Sequence, residues 1–124
     1  MAKRTAQFLA VLLLISVEVY GSGTAYLEWK QDFYYIDGIP LPPEDILKFT
    51  IHYGVNPRDY IYQESVPGNQ FNLNLTVPTS GIWYIAATAT DIYSQTSDYS
   101  NEVRRDVKAL RRPSPMKLMV TIVK

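Results

Sequence analysis

The chain holds one histidine, His52, and no cysteine. Without cysteine it has no thiolate nucleophile, no disulfide and no cysteine-ligated zinc site. His52 stands in LKFTIHYG, where Phe49, Ile51 and Tyr53 alternate with Thr50 and His52. A period of two sets the imidazole on the face opposite the apolar side chains, as an exposed residue on a sheet surface. Serine-histidine-acid catalysis needs a serine at a strained turn, and no G-x-S-x-G segment is present. Carboxylates cluster at Asp37, Glu44 and Asp45, and again at Asp91 and Asp98. Paired acids can cleave glycosides or hold calcium. These spacings match neither a calcium loop nor a fixed pair, so the acids read as solvated turn residues. No glycine-rich phosphate cradle occurs. The residues therefore assign no catalytic group, no metal ligand and no cofactor, and a non-enzyme is expected.

Loops with this chemistry must be carried by strands. Beyond residue 23, short apolar-polar alternations are broken by Gly, Pro, Asn and Asp, with no sustained 3.6-residue period. Thr24 to Lys30 sets Ala25, Leu27 and Trp29 on one face. Leu47 to Tyr53 and Tyr60 to Val66 follow, then Phe71 to Val77 with Phe71, Leu73, Leu75 and Val77 inward. Trp83 to Asp91 aligns Trp83, Ile85, Ala87 and Ala89, and a closing strand falls near Tyr99 to Val103. Half-apolar strands at this spacing predict an all-β antiparallel sandwich of two sheets. Its expected core is Leu27, Trp29, Phe49, Ile51, Tyr53, Leu73, Leu75, Trp83, Ile85 and Ala87.

The stretches TAYLEW, DGIPLPPEDILKFTIHYG, WYIAATATD and SDYSNEV, in that order, resemble a fibronectin type III domain of the kind common in bacterial and bacteriophage proteins. The resemblance runs from Thr24 to about Val103. It implies an immunoglobulin-like sandwich with strands A to G, where TAYLEWK is B, KFTIHY is C, FNLNLTV is E, WYIAATAT is F and YSNEV is G. Two features depart from the family. Trp83 stands where a corner tyrosine is usual, with Tyr84 beside it as a substitute, and no strand A precedes Thr24 once a leader is removed.

The ends of the chain bear on that missing strand. Lys3 and Arg4, the apolar run Phe8 to Val17 and the small residues Gly21, Ser22 and Gly23 have the order of a secretory signal peptide. Cleavage after Gly21 or Gly23 makes residues 1–23 a leader. The run also fits a first β-strand or a retained anchor, although a bilayer span needs about 20 apolar residues. Residues 24–103 then form the domain and 104–113 a basic linker with Arg104, Arg105, Lys108, Arg111 and Arg112. The closing residues 114–124, SPMKLMVTIVK, alternate Leu118, Val120 and Ile122 with Met119, Thr121 and Val123. This pattern fits a replacement for strand A, in the same chain, as a circular permutation would place it, or in a neighbouring copy by strand addition. A loose tail is the third fate.

Twelve basic residues balance twelve acidic ones, so no global field draws the chain to nucleic acid. In the sandwich topology the B–C, D–E and F–G loops meet at one end. The expected binding residues there are Phe33, Tyr34, Tyr35, Tyr93 and Tyr99, since aromatics bring large contact area at low entropic cost; Phe33 and Tyr35 fit equally well a place under the long loop, closing the core. The expected partner is a protein or a second copy of the chain, and the alternative is a cell-surface glycan. A secreted, cell-envelope or virion setting follows from the leader and the resemblance. Asn74-Leu75-Thr76 also fits the N-glycosylation pattern.

Overall fold

The computed structural model describes residues 12–20, 23–31, 34–35 and 37–108, with residues 12–20 and Gln31 described as backbone. The alternating segments form strands β1 (Leu12–Tyr20), β2 (Thr24–Gln31), β3 (Ile46–Gly54), β4 (Tyr62–Pro67), β5 (Asn72–Thr76), β6 (Gly81–Asp91) and β7 (Val103–Val107). A 3-10 turn, Pro43–Asp45, interrupts the proline-rich connection ahead of β3. The strands pair antiparallel in a three-stranded sheet, β1-β2-β5, and a four-stranded sheet, β4-β3-β6-β7.

The core lies between the sheets because each contributes one apolar face. Leu27, Phe49, Ile51, Leu75, Ile85 and Ala87 are fully buried, with Trp29 and Trp83 nearly so. Each large side chain removed from water contributes about 1.5–3 kcal/mol. Trp29 meets Phe49 edge-on at 5.7 Å, and Phe49 packs on Phe71 at 5.4 Å. Tyr53 and Leu73 are only partly buried against this cluster. Tyr53 sits at the sheet's end, where it stacks on Tyr62 at 5.4 Å and packs on Trp83 at 5.8 Å.

Three readings from sequence require correction. Strand A is present: β1 pairs with β2 over its length, setting Val17 opposite Leu27 and Val19 opposite Ala25. The reason lies at the end of the apolar run and just beyond it, where Val17 and Val19 alternate with Ser16, Glu18 and Tyr20 in a strand's period. The position expected to take a C-terminal strand is thus occupied by residues assigned to the leader. Leu118, Val120 and Ile122 lie outside the described residues.

The closing strand is also displaced. β7 spans Val103–Val107, inside the segment read as a basic linker, because Val103 and Val107 are buried while Arg104, Arg105 and Asp106 remain exposed. Its charges conceal two apolar anchors. Residues 97–100 instead run beside β6 without regular pairing, held by Ser97 N–H to the Ala89 carbonyl and Ser100 N–H to the Ala87 carbonyl, both 2.8 Å.

The third correction concerns the corner. Trp83 itself performs the bond back to the chain, its Nε1–H donating to the Thr79 carbonyl at 2.8 Å. An indole N–H can serve where a phenol is usual, since either ring brings a donor at the edge of a buried apolar body. Tyr84, which points to the opposite face, is not needed for it.

Candidate functional site

Two surfaces combine aromatic rings with polar groups. The first is the end of the sandwich where the β2–β3 connection, the β4–β5 turn and the segment after β6 meet. Ile92 N–H donates to the Asp45 carbonyl at 2.8 Å, and Gly68 N–H to the Leu47 carbonyl at 3.1 Å. Gly68 lies so close to the Ile46 carbonyl that a Cβ there would overlap it, which is why the turn carries glycine.

Asp91, the last residue of β6, organises this end. It is fully buried. Its Oδ1 accepts from Tyr93 N–H at 3.0 Å and Gln95 N–H at 2.8 Å, and its Oδ2 from Gln95 Nε2 at 2.9 Å and the Tyr35 hydroxyl at 3.2 Å. A carboxylate that nucleates the turn following it is a familiar use of aspartate. The sequence reading of Asp91 as a solvated acid is thereby overturned.

For the same reason Tyr35 takes the core-closing one of the two roles its sequence position allows. It is only 2% exposed and belongs to the core, so it offers no contact surface to a partner. Burial, followed by the negative charge of Asp91, pushes its phenol up to about 12. Tyr34 and Tyr93, by contrast, are 55% and 37% exposed. Ile39, Leu47 and Ile92 are also exposed on these segments. Phe33 lies outside the described residues.

Tyr99 is 57% exposed but sits elsewhere, on the outer face of the four-stranded sheet. On that face β3 presents Thr50 and His52, whose partners across the ladder are Thr88 and Ala86 of β6. These small residues are buried despite facing outward, with Ala86 at 0% exposure. His52, Tyr60 and Tyr99 form the cover: His52 meets Tyr99 edge-on at 5.1 Å, and Tyr60 lies 5.2 Å from Tyr99. His52 is half-buried, against the exposed position expected, and its Nε2 shares a 2.9 Å hydrogen bond with Thr88 Oγ1. Burial lowers its pKa below the usual imidazole range.

Beside this cover is a cavity of about 470 Å³ lined by Arg58, Tyr60, Tyr99, Ser100, Asn101 and Glu102. Glu102 Oε2 accepts from Arg58 N–H at 2.9 Å and from the Tyr60 hydroxyl in a short contact. Burial and this carboxylate raise the Tyr60 pKa well above the phenol range. Sequence reasoning singled out Tyr99 alone of these residues. Arg58, Tyr60, Asn101 and Glu102 come from two turn-rich segments far apart in the chain, and nothing local marks them as neighbours.

Among the described residues, no group of histidine and carboxylate side chains is placed to hold a metal ion, and no helix is long and apolar enough to cross a membrane.

No protein-family model matches the chain, and no curated protein matches it. Among solved structures it is similar to the solution structure of a fibronectin type III domain derived from the human KIAA0970 protein. The match has a TM-score of 0.62 at 14% identity and covers 94% of this chain and 87% of that one. The fold is fibronectin type III-like. At this identity the likeness concerns architecture, which many unrelated functions share.

Proposed function

We propose that this fibronectin type III-like domain is a non-enzymatic interaction module whose loop-bearing end contacts a protein partner. The observation that carries the reading is the set of exposed apolar side chains there: Tyr34, Ile39, Leu47, Ile92 and Tyr93, each at least 36% exposed. Exposed apolar side chains carried on segments that meet at one end mark a contact surface. Tyrosines on segments pinned by Asp91 supply rigid anchors. In the same proposal the chain is exported, in a bacterial or bacteriophage setting, as a building block of an extracellular or virion assembly. The basic start, the apolar run and the resemblance of its sequence motifs support that setting.

Joint replacement of Tyr34, Leu47, Ile92 and Tyr93 by alanine tests the contact surface. Sedimentation of the full chain across a concentration series, and cross-linking in its native assembly, are the readouts. Loss of association with an unchanged unfolding midpoint is the expected result. Association that survives all four changes sinks the proposal.

A second reading rests on β1. It is the neighbour of β2 opposite β5, so cleavage after Gly21 or Gly23 would open that edge of β2. Residues 114–124 have the alternation to occupy the opened edge, in the same molecule or in another copy. The mass of the exported protein, with size-exclusion of variants lacking residues 114–124, decides it. A chain that keeps β1, or one that is monomeric with and without the segment, excludes strand donation.

A further inference from the structure

We infer that the cavity on the outer face of the four-stranded sheet is a binding site for a neutral saccharide, presented as the end or side of a glycan. The cavity, about 470 Å³, is large enough for a sugar ring with its first neighbour and falls within the range of small-molecule sites. It is separate from the loop-bearing end: Tyr60, Tyr99 and His52 lie over the middle of β3 and β6, whereas Tyr34 and Tyr93 flank the end marked by Asp91.

Two observations specify the ligand class. The first is an aromatic platform held rigid from behind. Tyr99 packs edge-on against His52 and at a tilt on Tyr60, while more than half of its own surface remains open. Such a ring offers an apolar face for the C–H surface of a pyranose at low entropic cost. The second is the charge balance at the rim. Glu102 is oriented through Oε2 by the Arg58 amide and the Tyr60 hydroxyl, and its Oε1 makes no hydrogen bond to the described residues. Arg58, whose side chain has no ion pair among the described residues, lines the same cavity and brings a positive charge to it.

A cationic ligand would meet Arg58 and an anionic one Glu102, so neither charge is favoured. A neutral polyol suits both. Adjacent hydroxyls can donate to the open carboxylate oxygen and accept from the guanidinium, which presents a planar fork of donors. Fixing Glu102 through one oxygen leaves the second pre-oriented, so little ordering is needed on binding.

The test titrates the full 124-residue chain with neutral monosaccharides and disaccharides at millimolar concentration, following backbone amides by heteronuclear NMR. Glucose, galactose, mannose, N-acetylglucosamine and their disaccharides form the panel, with glucosamine and sialic acid as charged probes. The expected result is saturable shifts at residues 58–60 and 99–102. Tyr99→Ala should weaken the best sugar roughly tenfold or more, as loss of a stacking ring does, whereas Tyr99→Phe should retain it. Glu102→Gln should weaken binding while leaving the fold spectrum intact, which separates a lost contact from a lost structure. The proposal is overturned if no neutral sugar shifts these amides, if Tyr99→Ala binds as the parent does, or if either charged probe binds more tightly than every neutral sugar.

Discussion

Two carboxylates, Asp91 and Glu102, organise the two surfaces of this domain, and their surroundings give them opposite uses. Asp91 is fully buried, and both of its oxygens are occupied by Tyr35, Tyr93 and Gln95. Glu102 is exposed and, among the described residues, accepts through one oxygen only. A buried carboxylate must be satisfied by the protein because water cannot reach it. An exposed one can keep an oxygen for a ligand. Burial, rather than residue type, therefore makes one acid a structural hub and the other a recognition group.

Removing Asp91 is the most demanding test of this contrast. Asp91→Ala strands the Tyr35 hydroxyl, two backbone donors and the Gln95 amide, and should cost about 3 kcal/mol or more in urea unfolding. A loss under about 1 kcal/mol would break the comparison. The next effect is read in alkali. The Tyr35 phenol sits at about 12 in the folded chain against 10.0 in an unperturbed tyrosine, so the folded state holds its proton more tightly. That contribution to stability is complete below pH 10.0 and disappears as the pH rises toward about 12. Ultraviolet titration of Asp91→Asn should show the Tyr35 transition moving down, though not fully to the ordinary value, because burial is the larger cause.

The corner offers a smaller effect. Trp83→Phe removes the donor to the Thr79 carbonyl and part of a buried ring, for about 1–3 kcal/mol by denaturant unfolding. An unchanged midpoint would show that the indole N–H contributes nothing to the corner. Smallest of all should be Glu102→Ala, at under about 1 kcal/mol, since the Arg58 amide and the Tyr60 hydroxyl can turn to water. A stability loss as large as that of Asp91→Ala would make Glu102 a second structural hub and remove the basis for a ligand there.

The legible and illegible parts of this molecule divide along one line. Alternation in TAYLEWK, KFTIHY, FNLNLTV and WYIAATAT was enough to place the strands and most of the core, because a half-buried strand writes its period directly into its residues. The same logic failed wherever burial did not follow local pattern. Val103 and Val107 were hidden by the charges between them, and the strand period of Val17 and Val19 was absorbed into a longer apolar run. Tyr35 and Asp91, in segments rich in turn residues, gave no local sign of being buried against each other.

The sequence by itself determined the all-β class, the absence of cysteine chemistry and the apolar faces that meet between two sheets. These depend on residue type and on a period of two, both of which are local. Only the tertiary structure decided that β1 occupies the place of strand A, that the Trp83 indole closes the corner, and that Tyr60 and Glu102 meet across 42 residues of chain beside Tyr99. Those outcomes depend on which distant segments exclude water from one another, and no local period records that.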